Sequence, residues 1–263
     1  EAKRELIAHI ERNLPYPVFV KPDGGMGASG SYKISSDEEM ERFYAGKENV
    51  PYIMEEYLCG DIWSYDGVSD SKANVIFETC TSWPPSIADI VNNKDHLAYY
   101  TASNLPDDLK EVGRNTIKAF NVRSRFFHLE FFRLREDKPG LARKGELVAL
   151  EVNMRPAGGW TPDMFNYANS VDVYSIWADM VTHDKTFVDL DRQKFFAVYA
   201  GRRNGKPYVH TPEEIRARYA GRIVMDLDIP EAISGAMGNH QWTAILDTAE
   251  QKDEFIHFVQ ETY

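Results

Sequence analysis

Two stretches of this chain carry oxygen-bearing side chains at alternate positions. FFHLEFFRL places His128 and Glu130 in one phase, and LVALEVNMRP does the same for Glu151, Asn153 and Arg155. Strict alternation is typical of β-strands with one buried face, so we expect these side chains to share one face of two strands. Carboxylate and amide oxygens grouped in this way are the ligands that Mg²⁺ needs beside a nucleotide phosphate. A solvated sheet face that carries ordinary charges is the competing interpretation.

The connection between these two stretches is polar and rich in turn-forming residues. It spans 135–146 and contains Pro139, Gly140 and Gly145. Such a segment favours a hairpin, so we predict that the two strands pair antiparallel. The two carboxylates would then converge across one strand pair.

A glycine-rich loop follows a lysine near the start of the chain. FVKPDGGMGASGSYKI places Lys21 at the end of one predicted strand and four glycines before the next strand. Glycines let backbone N–H groups approach phosphate oxygens closely, and the Lys21 ammonium would add a positive charge. The loop lacks the Gly-Lys-Ser/Thr ending of a Walker loop, and it does not lead from a strand into a helix as a dinucleotide site does. A flexible hairpin loop beside a surface lysine is the alternative interpretation.

The overall composition excludes several classes of protein. The chain has 263 residues, a net charge of −11 and 43% hydrophobic residues, which favours a folded protein without a large nucleic-acid surface. Its two cysteines, Cys59 and Cys80, have no metal-ligand spacing and are too few for a disulfide framework. No apolar run has the length of a membrane span, and no signal peptide is visible. We therefore expect a cytoplasmic protein with no membrane and no nucleic-acid partner.

Helical and strand patterns follow one another without a βαβ alternation, which predicts an α+β fold. The predicted helices cover 1–14, 37–45, 105–120 and 171–181, with further helix starts at Thr211 and Thr248. The predicted strands outside the central pair cover 17–22, 31–34, 52–58, 62–69, 74–83, 222–230 and 240–248.

These elements, in this order, resemble the ATP-grasp superfamily. The matching elements are VKPDGGMGASG (20–30), MEEYLCGD (54–61), HLEFF (128–132) and LEVNMRPAGG (150–159). Within the superfamily the chain is most similar to the carboxylate–amine and carboxylate–thiol ligases related to carbamoyl-phosphate synthetase and biotin carboxylase. The resemblance implies an α+β fold in which two α+β subdomains grip ATP between antiparallel sheets. The implied domains are a lid at 1–57, a metal and substrate subdomain at 58–185, and a small C-terminal α+β extension at 186–263.

The resemblance also assigns roles to individual residues. Lys21 would contact the ATP phosphates, and a loop would close over them that consists of Gly24, Gly25, Gly27, Ala28, Ser29 and Gly30. The adenine would be read by a hinge strand with Glu55, Glu56, Tyr57 and Leu58. The metal, Mg²⁺ with Mn²⁺ as an alternative, would be held by Glu130, Glu151 and Asn153. The reacting centre would include Arg155, Asn153 and His128, although a structural role for His128 is an alternative.

Two features depart from the superfamily pattern. An acid that holds the ribose commonly stands in the third position of a Gly-x-Glu element after the hinge, whereas this chain has Ile62 there and Asp61 one residue earlier. Asp61 is the remaining ribose candidate, although a shift of one residue reverses the face of a strand. The superfamily usually also has a domain before the lid, and we expect that this chain is the C-terminal portion of a longer protein.

The resemblance implies ATP-dependent ligation through an acyl phosphate. A substrate carboxylate would attack the γ-phosphorus of ATP, and an amine would then displace phosphate to form an amide, with release of ADP and phosphate. The expected partners are therefore a small-molecule carboxylate and an amine, and a homodimer is left open. A non-catalytic ATP-binding module and an ATP-dependent kinase are the alternative functions.

Overall fold

All strand pairs are antiparallel in the computed structural model, which describes residues 15–24, 30–83 and 94–263. The strands are β1 (Val18–Pro22), β2 (Tyr32–Ile34), β3 (Tyr52–Glu56), β4 (Gly60–Ser69), β5 (Val75–Trp83), β6 (Ala98–Thr101), β7 (Arg125–Leu134), β8 (Leu147–Asn153), β9 (Phe196–Arg202), β10 (Ile223–Asp228) and β11 (His240–Leu246). The helices are α1 (Asp37–Gly46), α2 (Asp107–Ala119), α3 (Thr161–Asn169), α4 (Val173–His183), α5 (Pro212–Arg218), α6 (Glu231–Met237) and α7 (Ala249–Gln260). The helix predicted over 1–14 lies outside the described residues. Among the residues that the structure describes, no helix combines the length and the apolar character needed to cross a bilayer.

The described residues group into two compact units that divide between Cys59 and Gly60. The first unit contains β1 to β3 and α1, and the second contains the remaining strands and helices. In the second unit, the strands that follow residue 185 join the same sheet as those that precede it. The expected division into domains at 1–57, 58–185 and 186–263 stays a prediction.

The first unit is a three-stranded sheet in the order β2-β1-β3, covered by α1. Its core consists of the buried side chains Val18, Val20, Ile34, Met40 and Phe43. Ser36 caps the N-terminus of α1, because its side chain accepts a hydrogen bond from the Glu39 backbone N–H at 3.3 Å. The side chains of Phe19 and Lys21 lie on the other face of the sheet, away from this core.

The second unit is built on an eight-stranded sheet in the order β10-β11-β9-β6-β5-β4-β7-β8. β4 and β5 pair through a turn at 70–74, in which the Asp70 backbone N–H donates to the Asn74 carbonyl at 2.9 Å. β4 also pairs with β7, which pairs with β8 at one edge of the sheet. The predicted pairing of the two acidic stretches is therefore confirmed.

Helices cover both faces of this sheet. One face packs its apolar side chains, including Tyr65, Phe127 and Leu129, against α2. Gly113 of α2 allows this close packing, because a Cβ there would lie 2.3 Å from the Tyr65 ring. On the other face, α3 and α4 pack against Phe126 of β7 and against apolar residues of β4 and β5. α7 completes a separate core on the first of these faces, against β9 and β11.

Candidate functional site

The two acidic strands bring Glu130 and Glu151 directly opposite each other. In the register of β7 and β8, Glu130 pairs with Glu151 and His128 pairs with Asn153. Directly opposed residues of an antiparallel pair point to the same face with their Cβ atoms about 5 Å apart. Leu129, which alternates with His128 and Glu130, is fully buried on the other face. We call the face with Glu130 and Glu151 the carboxylate face.

An extra residue in β8 produces this register. Phe131 pairs with Ala149, but Glu130 pairs with Glu151, so Leu150 has no partner of its own and forms a β-bulge. Regular pairing continued from Ala149 would set Leu150 opposite Glu130. Glu151 would then point to the buried face.

The carboxylate face continues onto β4, where two further polar side chains lie in the same rows. Ser64 pairs with Glu130, and Asp66 pairs with His128. Exposure increases across the row towards the sheet edge: Ser64 is fully buried, the Glu130 side chain is 21% exposed, and Glu151 is exposed. A row of polar groups therefore leads from the sheet interior to solvent.

Hydrogen bonds connect four of these side chains. Ser64 Oγ donates to Asp66 Oδ2 at 2.5 Å, and His128 Nδ1 donates to Asp66 Oδ1 at 2.6 Å. His128 Nε2 contacts Glu130 Oε1 at 2.9 Å. Carboxylates accept only, so both imidazole nitrogens must donate when both carboxyl groups are ionised. Burial lowers the pKa of His128, but the charge of Asp66 and the hydrogen bonds to Asp66 and Glu130 outweigh it and raise the pKa to about 10.

The indole of Trp83 lies beside this row. Its Nε1 donates to Ser64 Oγ at 3.1 Å, and its ring meets the His128 ring edge to face with centroids 6.3 Å apart. Trp83 also stacks on Tyr99, which stacks on Tyr199, with centroid distances of 4.4 and 4.7 Å. An aromatic stack thus continues the carboxylate face across β5, β6 and β9.

Asn153 and Arg155, which follow Glu151, lie in different surroundings. Asn153 remains on the carboxylate face, and its buried Nδ2 has no hydrogen-bond partner among the described residues. The expectation that Arg155 continues the strand is wrong, because β8 ends at Asn153. Arg155 is exposed, and its Nη1 donates to the Pro156 carbonyl at 2.9 Å. Strand phase therefore does not place its guanidinium beside the two carboxylates.

In the first unit, Lys21 forms an ion pair with Glu55. Its Nζ lies 2.6 Å from Glu55 Oε2, on the face of the small sheet that is turned away from the core. Glu56 points to the opposite face, as the next residue of β3 must. Tyr57 follows the strand, and Lys33 Nζ lies 4.3 Å from the centre of its ring. The structure thus joins Lys21 to Glu55 but separates Glu55 from Glu56.

The remaining nucleotide candidates fall into four groups. Gly24 and Gly30 are described, and Gly30 has a positive φ of 74°, which suits glycine. Leu58 is half-buried and follows the end of β3. The rest of the loop lies outside the described residues, namely Gly25, Gly27, Ala28 and Ser29. Asp61 belongs to the second unit, where it forms an ion pair with Arg135 and points away from the carboxylate face.

The carboxylate face provides oxygen donors of the kind that a hard divalent cation binds. Two carboxylates face each other directly, and the Asn153 amide follows in the next row. These residues fit Mg²⁺, which takes one or two protein carboxylates and completes its shell with water and phosphate oxygens. No group of three or more His, Cys, Asp or Glu side chains in the described part of the chain is arranged to hold a metal by itself. A cation here would therefore need ligands besides these carboxylates, such as water or phosphate oxygens.

Several solved structures share this architecture over nearly the whole chain. An L-amino acid ligase from Bacillus licheniformis matches with a TM-score of 0.65 at 13% identity, over 94% of this chain and 62% of that protein. An N5-carboxyaminoimidazole synthetase from Staphylococcus aureus, complexed with ADP, matches with a TM-score of 0.65 at 15% identity, over 98% and 64%. The biotin carboxylase domain of 2-oxoglutarate carboxylase from Hydrogenobacter thermophilus, in complex with MgADP and bicarbonate, matches with a TM-score of 0.63 at 14% identity, over 97% and 59%.

The chain has the ATP-grasp fold. The α+β prediction and the predicted ATP-grasp architecture are confirmed. The chain spans 59–64% of the length of these three ATP-grasp structures. No family profile matches the sequence, and no curated protein matches it.

The sequence did not indicate Ser64 and Asp66 as site residues. They lie beside Glu130 and His128 on the carboxylate face. A signal was present, because IWSYDGVS places these two polar residues two positions apart, and hence on one face of a strand. Both side chains are fully buried, and buried polar groups of this kind need hydrogen-bond partners. The partner of Asp66 lies 62 residues further along the chain, which local periodicity does not reveal.

Replacing His128 should destabilise the fold through Asp66. The substitution His128→Phe removes the cationic partner of a fully buried carboxylate, so we expect the free energy of unfolding to fall by roughly 3–5 kcal/mol. The double variant His128→Phe/Asp66→Asn should recover part of this loss, since it also removes the stranded charge. Denaturant unfolding at neutral pH measures both. Strictly additive losses in the double variant would contradict the coupling of Asp66 to His128.

Proposed function

We propose that this ATP-grasp chain activates a carboxylate as an acyl phosphate at the expense of ATP and transfers the acyl group to an amine. The observation that carries the proposal is the direct opposition of Glu130 and Glu151 on a face that also holds His128 and Asn153. The known ATP-grasp ligases with the same fold support the general reaction type.

The second unit would supply the metal ligands. Glu130 and Glu151 would hold Mg²⁺, and Asn153 would contribute its amide oxygen to a second metal position. Bound there, Mg²⁺ would neutralise charge on the transferred phosphate. His128 pairs with Asn153 in the adjacent row, and its positive charge would attract the phosphate oxygens or the acyl phosphate.

The first unit would supply contacts to the nucleotide. Lys21 would bind the ATP phosphates, either in place of Glu55 or while it keeps part of its contact with Glu55. The loop that contains Gly24 and Gly30 would close over the phosphates. The backbone of the hinge at Tyr57 and Leu58 would read the adenine edge. Arg155 is exposed and, among the described residues, bound only to a neighbouring carbonyl, so it is available to reach a carboxylate or phosphate on rearrangement.

The proposed reaction has two steps, neither of which needs a protein nucleophile. In the first, an oxygen of the substrate carboxylate bonds to the γ-phosphorus as the bond to the β–γ bridging oxygen breaks, and ADP leaves. In the second, the amine nitrogen bonds to the acyl carbon, phosphate departs with the carboxylate-derived oxygen, and the nitrogen loses a proton. The preorganised positive charge of His128 would stabilise the negative charge that develops in both steps.

One observation favours a second candidate, a non-catalytic ATP-binding module. Asp61, the remaining ribose candidate, points away from the carboxylate face and pairs with Arg135. A weakened ribose contact would be tolerated in a protein that binds ATP without turning it over. Calorimetric binding of ATP to the full-length protein, with no ADP formed in the presence of any carboxylate, would favour this alternative.

Acyl phosphate formation is the first testable consequence. We expect ADP release to depend on a carboxylate when the full-length protein is given Mg·ATP and the common L-amino acids in turn. Hydroxylamine should intercept the intermediate and give an acyl hydroxamate, because it competes with the amine for the acyl carbon. Colorimetric or mass-spectrometric detection of the hydroxamate measures this. A stable phosphorylated product that forms without any amine would instead identify a kinase, and ADP release that ignores every carboxylate would oppose ligation.

Loss of Glu151 should abolish turnover without unfolding the protein. Glu151 is exposed at the sheet edge, so we expect Glu151→Ala to change the free energy of unfolding by no more than about 0.5 kcal/mol. The Mg²⁺-dependent kcat/KM should fall on the order of 100-fold or more, because a metal ligand is missing. Steady-state kinetics and thermal unfolding measure the two effects.

The matched control is Glu136→Ala, which removes an exposed glutamate from the connection between the same two strands. It should leave both turnover and stability unchanged. Full activity in Glu151→Ala would remove Glu151 from the metal site.

A further inference from the structure

Asp66 is a fully buried carboxylate that the metal and nucleotide contacts described above do not use. Both of its oxygens are engaged: Oδ1 accepts from His128 Nδ1 at 2.6 Å, and Oδ2 accepts from Ser64 Oγ at 2.5 Å. Ser64 is itself held by Trp83 Nε1 at 3.1 Å. Asp66 is thus fixed from two sides, on the strand next to the one that carries His128 and Glu130.

The contact from Asp66 determines the orientation of the His128 ring. With Nδ1 bound to Asp66, Nε2 is directed along β7 to Glu130 Oε1, at 2.9 Å. The His128 side chain is only 5% exposed, so the ring has little freedom to take another rotamer. Without the acceptor on Nδ1, the ring would lose the bond that opposes its rotation.

His128 in turn holds one oxygen of Glu130. The other Glu130 oxygen has no hydrogen-bond donor among the described residues, and it belongs to a side chain that is 21% exposed beside Glu151. A metal-ligating carboxylate that is hydrogen-bonded through one oxygen keeps the other in a fixed direction.

We propose that Asp66 is a positioning residue: it orients His128, and His128 orients the Glu130 carboxylate towards a divalent cation. This role rests on the proposed metal site of Glu130 and Glu151. Asp66 and His128 would then support the cation ligands, and His128 would also place a positive charge near the phosphate. A merely structural Asp66 would affect folding but not the affinity for the cation.

The test measures Mn²⁺ affinity independently of turnover. Binding of Mn²⁺ to the full-length protein, in the presence of a non-hydrolysable ATP analogue, is followed by electron paramagnetic resonance of the free ion. We expect Asp66→Asn to weaken Mn²⁺ binding about 10–100-fold, the range typical for loss of a residue that orients a metal ligand. Thermal unfolding of each variant is recorded in parallel.

Glu78→Gln is the matched control for a general loss of stability. Glu78 lies on β5 of the same sheet, is bound by Tyr65, Arg114 and Lys110, and points away from the carboxylate face. This variant should lower the melting temperature and leave Mn²⁺ affinity unchanged. If Asp66→Asn does not fold, Ser64→Ala removes one of the two Asp66 contacts more gently and should weaken Mn²⁺ binding to a smaller extent.

The Glu130→Gln variant separates failure of this role from failure of the metal assignment. Loss of Mn²⁺ affinity in Glu130→Gln and in Asp66→Asn, with no further loss in the double variant, supports the positioning role because the two residues then act as a unit. Loss in Glu130→Gln with wild-type affinity in folded Asp66→Asn or Ser64→Ala overturns that role and keeps the metal site. Wild-type affinity in Glu130→Gln removes the metal site and the positioning role together.

Discussion

One extra residue in β8 determines which side chains share the carboxylate face. Leu147 and Val152 are five positions apart, an odd spacing that a regular strand would place on opposite faces, yet both pack against the same core cluster. The bulge at Leu150 reconciles them, and the same shift turns Glu151 out of the core to lie opposite Glu130. Packing of the hydrophobic core and construction of the acidic pair therefore depend on a single register change.

The acidic pair also requires electrostatic support, because like charges directly opposite in a sheet repel each other. Water and neighbouring side chains provide this support, and its source changes from the exposed edge of the sheet to its interior. Glu151 stands at the exposed edge, where water screens its charge, while the partly buried Glu130 is bonded to a protonated His128. Buried Asp66 balances that imidazolium in turn. Together these groups keep a net negative charge at Glu130 and Glu151, which suits a site that binds a divalent cation, at some cost to stability.

Periodicity predicted most of the second unit, because its hairpins have one buried face and clear turn signals. The strand pairs on either side of 70–74 and 135–146 are present, and helix caps at Thr211 and Thr248 are formed as expected. Local sequence patterns did not predict the features that depend on contacts between distant parts of the chain. The four-residue strand β6 is too short for an alternating signal, and the bulge at Leu150 depends on contacts with another element. The same limit explains why the sequence extended β8 through Arg155, and why the contact between Asp66 and His128 escaped notice.

We propose that Glu130 and Glu151 hold a divalent cation between them for a nucleotide phosphate. Anomalous diffraction from crystals of the full-length protein, grown with Mn²⁺ and a non-hydrolysable ATP analogue, would locate such a cation. We expect a manganese peak at coordination distance from a carboxylate oxygen of Glu130 and of Glu151 and from a phosphate oxygen of the analogue. A peak that contacts the phosphates but neither carboxylate would exclude Glu130 and Glu151 as its ligands.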